Sequence, residues 1–263
     1  MNTIDTAIKE FRQKRLAVYK ADPQQIVRDT RGAERATNDH TGRWLFELLQ
    51  NSDDVKASEV RILIGDNTVY VADNGCGLKP EAISAICGTD FSDKASGTIG
   101  RKGVGFKSVY EVSSNPQVLT VNGEGIKFSP TRVKEWLRQN DFEDEYVPCQ
   151  WIPFFVSWDE ARRQNPVLGT LGDHKTVVVL HSVASMQQQK VEQILKQWPL
   201  HTFFAFRNVR KLSAPCRQVT LVPGDTDWTM NDSQEEGPRL WHVAKYREVA
   251  PSDLLTAITR RNT

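Results

Sequence analysis

Glu47-Leu48-Leu49-Gln50-Asn51-Ser52-Asp53-Asp54, then Asp73-Asn74-Gly75-Cys76-Gly77, then Gly100-Arg101-Lys102-Gly103-Val104-Gly105-Phe106-Lys107-Ser108 are the three stretches that decide how this chain is read. In the first, Glu47, Asn51 and Asp54 stand at i, i+4 and i+7 and therefore share one face of a helix. Two carboxylates and an amide at that spacing suit a metal ion and a water molecule held side by side. The second stretch is an acidic residue opening a glycine turn. The third is a glycine loop, whose bare backbone N–H groups can approach phosphate where a helix begins. Each cluster alone is common; the three in this order and spacing are not.

The segments around these clusters read as an α/β chain. Ile4, Ala7, Ile8 and Phe11 fall at helical spacing and predict an N-terminal amphipathic helix whose stripe packs on a core. Residues 32–42 carry turn formers. Arg43 to Val55 reads as a helix with Leu45, Leu48 and Leu49 turned inward, which leaves Glu47, Asn51 and Asp54 on the neighbouring stripe. Val60 to Ile64 and Thr68 to Ala72 alternate and are joined by Gly65-Asp66-Asn67, a hairpin that places Asp73 at a strand end. A short helix is expected over 80–87, and a Gly-, Ser- and Thr-rich loop over 88–100, with the composition of a lid. Further on, helix is predicted over 106–112, strands over 117–121 and 126–129, a buried strand over 176–180 and a helix from Val191 to near Pro199. Strands are expected over 218–222 and 240–245, with a polar loop over 224–237 between them. Residues 130–170 read as irregular and aromatic. No linker, repeat or low-complexity tract divides the chain, so a single domain over residues 1–263 is expected.

Composition narrows the function classes. With 263 residues, 39% hydrophobic and 25% charged, a sizeable core is available. The 34 basic and 33 acidic residues leave a net charge of +1, which sets up no global field toward nucleic acid or an anionic membrane. Cys76, Cys87, Cys149 and Cys216 lack metal-ligand spacing and read as reduced thiols, and the charged N-terminus is neither a signal peptide nor a membrane span. A cytoplasmic protein is the expectation. His40, His174, His181, His201 and His242 also lack metal-ligand spacing or an accompanying nucleophile and read as structural or surface residues.

Taken together, the three clusters resemble the sequence boxes of the gyrase, heat-shock chaperone, histidine kinase and MutL (GHKL) ATPase superfamily. Within it, Tyr19-Lys20-Ala21-Asp22-Pro23, Gly42-Arg43-Trp44-Leu45-Phe46-Glu47-Leu48-Leu49-Gln50-Asn51 and Ile99-Gly100-Arg101-Lys102-Gly103-Val104-Gly105-Phe106-Lys107-Ser108-Val109 are similar to the sacsin and plant NO VEIN type of ATPase domain. The likeness covers about residues 19–212. It implies a Bergerat-type fold: an α/β (α+β) two-layer sandwich in which a mixed, largely antiparallel sheet carries helices on one face. Residues 1–40 would be an N-terminal helical segment and 88–101 an ATP lid.

The resemblance also implies roles. Glu47 would be the general base that orients and deprotonates the attacking water. Asn51 would be the magnesium ligand, an amide oxygen being a hard donor suited to that cation. Asp54 would support metal-bound water or the nucleotide pocket, with Asp53 beside it as the competing acid. Asp73 would read adenine, since an ionised carboxylate only accepts hydrogen bonds and would favour the exocyclic amine of adenine over the carbonyl of guanine. Gly75 and Gly77 would let the backbone approach the base, and Thr176 would share a water with Asp73. Gly103, Val104, Gly105 and Phe106 would donate N–H groups to phosphates, with Lys102 and, from the lid, Lys94 adding charge. Two other motifs nearly match this loop and fail. A Walker loop needs Lys directly after its last Gly, where Phe106 stands, and a dinucleotide fingerprint needs a third Gly where Ser108 stands.

The expected function is magnesium-dependent ATP binding and slow hydrolysis used as a conformational switch, chaperone-like or assembly-related, in the N-terminal part of a longer protein. A homodimer formed on ATP binding, with the N-terminal helix as a candidate contact, and a protein client are the implied partners. The alternatives are a non-hydrolysing nucleotide-sensing scaffold and the ATPase module of a nucleic-acid-processing or defence machine.

Overall fold

A computed structural model of the chain describes residues 3–39, 43–88, 105–224 and 227–242. Its helices are α1 (Ile4–Ala21), α2 (Gln24–Asp39), α3 (Trp44–Asp54), α4 (Ala82–Cys87), α5 (Pro130–Gln139), α6 (Trp158–Gln164) and α7 (Ser185–Gln197). Its strands are β1 (Glu59–Gly65), β2 (Thr68–Asp73), β3 (Gln117–Thr120), β4 (Glu124–Lys127), β5 (Phe154–Ser157), β6 (Thr176–Leu180), β7 (Lys211–Ala214), β8 (Arg217–Pro223), β9 (Asp227–Asp232) and β10 (Arg239–His242).

The hairpin read from the sequence is the centre of the sheet. Asp66 and Asn67 form its turn with φ of 49° and 55°, a left-handed pair that matches the strand twist and that Asp and Asn tolerate better than branched residues. Pairing runs from Gly65 opposite Thr68 to Val60 opposite Asp73. From there the described strands form one sheet in the order β10-β9-β8-β7-β1-β2-β6-β3-β4-β5, antiparallel at every junction but the parallel β1–β7 pair. This is the mixed, largely antiparallel sheet that the sequence implied.

β2 is buried along its whole length, and alternation sends its side chains to two cores. Val69 and Val71 join Val118 and Leu180 beneath α1, α3, α4 and α7, where Ile4, Ile8, Leu45, Leu49, Ile83 and Val191 fill the main core. Tyr70, Ala72, Leu119, Val177 and Val179 point to the opposite face. The larger helices thus lie on one face as expected. The apolar side chains on the other face are covered by α6 and a 3-10 stretch over Pro166–Leu171, which bring in Trp158, Ala161, Leu168 and Leu171. A third cluster, including Tyr19, Ile26, Leu137, Trp151 and Phe154, ties α1 and α2 to α5 and β5. The guanidinium of Arg15 lies 3.8 Å from the Trp151 ring centre and 3.4 Å from Asp29, which also accepts a 2.8 Å bond from the Tyr19 hydroxyl.

Several local expectations are corrected. The turn formers over 32–39 are helical, because α2 runs from Gln24 to Asp39, and the helix packs against residues 105–111. Residues 130–170 are far from irregular. Ser129 caps α5 by accepting from the Arg132 N–H at 3.3 Å, with Pro130 in the first turn, and β5 and α6 follow. β4 starts two residues before the expected strand, at Glu124, because it pairs with β5 from Glu124 onward. The polar stretch 224–237 contains β9, held between β8 and β10. The expected helix over 106–112 is a 3-10 helix over Gly105–Glu111. The lid expected over 88–101 lies outside the described residues beyond Gly88, as does the end of the strand expected over 240–245.

Candidate functional site

α3 carries its polar stripe to a cavity of about 260 Å³ between the helices and the sheet. Leu45 and Leu49 are anchored in the core, so the rotation of α3 is fixed and Glu47, Asn51 and Asp54 all reach the cavity. Leu48, Val55, Val71, Leu78, Ile86 and Val118 supply apolar wall. Asp73, Gly77, Gly105, Phe106 and Thr176 line the same space. Residues from all three sequence clusters and from β6 therefore meet in one place. Lys94, Lys102, Gly103 and Val104 lie outside the described residues.

Glu47 is only 12% exposed, with the Arg43 guanidinium 3.5 Å from its carboxylate. Its Oε2 packs against the backbone of Gly105 so closely that a Cβ at that position would overlap it. A side chain there would have to displace the Glu47 carboxylate, and the contact joins the acidic helix to the glycine loop.

The two adjacent acids at the end of α3 separate cleanly. Asp53 is 1% exposed and turned away from the cavity: its carboxylate accepts backbone N–H bonds from Arg207 at 3.1 Å, Asn208 at 2.6 Å and Val209 at 3.0 Å. It fixes the segment leading into β7. Asp54 is the acid that faces the cavity.

Asp73, the last residue of β2, is 6% exposed. Its Oδ1 accepts from the Gly75 N–H at 2.8 Å, and its Oδ2 lies 3.3 Å from the Ser52 hydroxyl. Thr176, directly opposite in β6, donates a further bond. Burial pushes the Asp73 carboxyl above its ordinary range, while the bonds from Gly75, Thr176 and Ser52 pull in the other direction and only partly compensate. Gly75 does not itself line the cavity; its N–H holds the carboxylate. Gly77 does line it, and its φ of 76° is a conformation that glycine adopts without strain.

Ser52 is a member of the site that sequence reasoning assigned no role, although it stands in the first cluster. Its hydroxyl bonds the Leu48 carbonyl at 3.2 Å and reaches Asp73 across the gap between α3 and β2, a pairing that only the tertiary structure reveals. Lys107 is 1% exposed, and its Nζ sits 4.0 Å from the Trp151 ring centre; it does not line the cavity. None of the described histidines lines the cavity, and all four cysteines are free. Cys87 and Cys149 are buried deeply enough that their thiols are pushed up to about 12.

The arrangement offers one buried acceptor on an apolar floor, a stripe of oxygen donors along a helix, and the Gly105 segment at the cavity wall. Asn51, Asp54 and Glu47 are hard oxygen donors and fit magnesium in kind. Among the described residues no group of three or more His, Cys, Asp or Glu could hold a metal ion.

With this geometry in view, residues 37–134 match the family model described as histidine kinase-, DNA gyrase B-, and HSP90-like ATPase. That segment is a GHKL-type module, which supports ATP binding, and it contains every described site residue named above except Thr176. A more particular likeness is to Protein NO VEIN of Arabidopsis thaliana, 39% identical over 92 residues. The matched stretch is 32% of this chain and 3% of that protein.

Proposed function

We propose that residues 1–263 act as one ATPase domain that binds magnesium-ATP in the cavity between α3 and β2, hydrolyses it slowly and uses the cycle as a conformational switch within a longer protein. The observation that carries this reading is the meeting of Asp73 with the Glu47, Asn51 and Asp54 stripe and the Gly105 backbone around one cavity. At about 260 Å³ it is near the lower end of small-molecule sites, a size that suits a nucleoside whose phosphates extend toward Gly105.

In this reading Asp73 accepts from the exocyclic amine of adenine, with Thr176 and Ser52 holding the carboxylate. Asn51 would hold the magnesium ion, which supplies charge neutralisation for the phosphates. Asp54 supports water or nucleotide beside it. Glu47 orients the attacking water and takes its proton. Gly105 and Phe106 donate backbone N–H groups to phosphate, joined by Gly103, Val104, Lys102 and the lid's Lys94. The role is chaperone-like or assembly-related and cytoplasmic; among the described residues no helix is long and apolar enough to cross a membrane. Dimerisation on nucleotide binding belongs to the proposal. Ile4 and Ile8 of α1 are buried in the chain's own core, so that contact would use a different surface from the stripe of α1.

The test is calorimetric titration with magnesium-ATP and magnesium-GTP together with phosphate release by the parent and Glu47→Ala. ATP binding that exceeds GTP binding, with release abolished in the variant and binding retained, is the expected outcome. Failure to bind ATP at millimolar concentration contradicts the assignment, and release by Glu47→Ala at the parent rate removes the base. A non-hydrolysing sensor is the second reading, favoured by the Arg43 guanidinium beside Glu47, which competes with water for the carboxylate. It is distinguished by tight ATP binding with no release by the parent.

A further inference from the structure

Asp73, Thr176 and Thr120 form a row across three neighbouring strands: Asp73 of β2 is opposite Thr176 of β6, which is opposite Thr120 of β3. Directly opposed residues of an antiparallel pair put their side chains on the same face. The row therefore underlies the site, yet its members do different things. Thr176 bonds Asp73, and Thr120 does not line the cavity at all. The Thr120 hydroxyl instead accepts the Leu78 N–H at 2.9 Å, and its Cγ2 lies 3.0 Å from where a Cβ on Gly77 would stand.

Those two contacts bear on the stretch 77–79, which forms cavity wall opposite α3. Gly77 is in the left-handed region and is followed immediately by Leu78, whose side chain lines the cavity. A loop turning at a glycine has little backbone stiffness of its own. Its place relative to Asp73 is set by what holds it: the Leu78 side chain packed against the main core, and the bond from the Leu78 N–H to the strand carrying Thr120. The methyl of Thr120 fills the space beneath Gly77, and its hydroxyl stops the loop from lifting away.

We infer that Thr120 is a positioning residue that sets the width of the base slot by pinning the Gly77–Leu78 wall at a fixed distance from Asp73. This rests on the nucleotide reading of the cavity and deepens it: part of the selectivity for adenine comes from a residue that never touches the nucleotide. Asp73 supplies the acceptor, and Thr120 holds the opposite wall where a flat purine contacts both.

Thr120→Val tests this, since it keeps the shape and the methyl contact and deletes only the acceptor; Thr120→Ser keeps the acceptor and loses the methyl. In protein without nucleotide, backbone amide exchange at Leu78 is expected to be slow in the parent and in Thr120→Ser and faster in Thr120→Val, with the amides of Leu119 and Val177 unchanged. In calorimetry Thr120→Val should bind magnesium-ATP roughly three- to tenfold more weakly, the usual worth of one neutral hydrogen bond, with a reduced ratio of ATP to GTP affinity, and Thr120→Ser should restore most of both. Unchanged exchange at Leu78 in Thr120→Val overturns the tie. Faster exchange with unaltered ATP affinity and selectivity overturns its role in the slot. If the parent binds neither nucleotide while Leu78 exchange still responds as described, the failure lies in the nucleotide reading and not in the Thr120 contact.

Discussion

Replacing Asp73 by Asn isolates the chemistry assigned to the base reader while keeping its shape. The carboxylate is surrounded by the Gly75 N–H at 2.8 Å, the Ser52 hydroxyl at 3.3 Å and the Thr176 hydroxyl, all of which donate to it. An amide has only one oxygen. The backbone N–H of Gly75 cannot reverse its polarity, so the amide oxygen must stay on that side, and the NH2 group is forced toward Ser52. The Ser52 and Thr176 hydroxyls can each rotate to donate or accept as the amide requires, so the fold should survive, and loss of a buried charge relieves the desolvation that raises the carboxyl. The apo melting temperature is therefore expected to hold or rise. The base, however, now meets a donor where it needs an acceptor. Losing a hydrogen bond to a charged group costs about 1.5–3 kcal/mol, which corresponds to about ten- to a hundredfold in affinity. Titration of magnesium-ATP into parent and variant measures this, with the melting temperatures as the control for folding. An ATP affinity in Asp73→Asn equal to the parent's would refute the reasoning, and so would a collapse of the fold, because the polarity argument requires Ser52 and Thr176 to adapt.

The same residue gives a pH dependence. A carboxyl raised above its ordinary value favours the protonated folded state, so its contribution to stability is present below about pH 3.8 and is lost as pH rises through the higher folded value. Melting temperatures across about pH 3 to 7 should therefore show Asp73→Asn gaining on the parent as pH increases through that window, whereas ATP binding by the parent should weaken as pH falls through it. Asp53→Ala should destabilise the protein by about 3 kcal/mol in urea unfolding, because three backbone N–H groups of 207–209 lose their acceptor, and Asp54→Ala should cost little stability and reduce nucleotide affinity. Arg217 and Asp232 are 5% and 2% exposed and paired at 2.7 Å, and Arg217 also donates to the Leu195 and Trp198 carbonyls at 2.9 and 2.7 Å. Arg217→Ala should cost about 3–5 kcal/mol by leaving Asp232 buried and unpaired, and Arg217→Met with Asp232→Leu should recover much of it.

How far the sequence carries depends on how local each signal is. α3 and the β1–β2 hairpin were legible because their periodicity, turn residues and polar stripe lie within a few residues of one another. Thr176–Leu180 was legible because a strand buried on both faces is apolar without interruption. β7 is only four residues long, too short for its own pattern to show, and is held as a strand between its hairpin partner β8 and the parallel β1, about 150 residues away. β9 does carry an alternation, with Trp228 and Met230 turned to the core, but its polar composition resembles a loop until β8 and β10 flank it. At the site, the stripe of Glu47, Asn51 and Asp54 follows from helical spacing. The same spacing turns Asp53 off that face, but what Asp53 does there, accepting from the backbone of 207–209, is not local to α3. Ser52 and Thr120 were illegible for the same reason: each acts on a segment that only tertiary packing or sheet register places beside it.

The central claim is that one cavity holds a nucleotide with its base on Asp73 and its phosphates toward Gly105. An experimental structure with magnesium and a non-hydrolysable ATP analogue tests it most directly. The account predicts the adenine amine within hydrogen-bond distance of the Asp73 carboxylate, the ion on Asn51, and phosphate oxygens against the backbone of the 105–106 segment with Glu47 facing the terminal phosphate. A nucleotide bound elsewhere, or one in this cavity with its base away from Asp73, would contradict it.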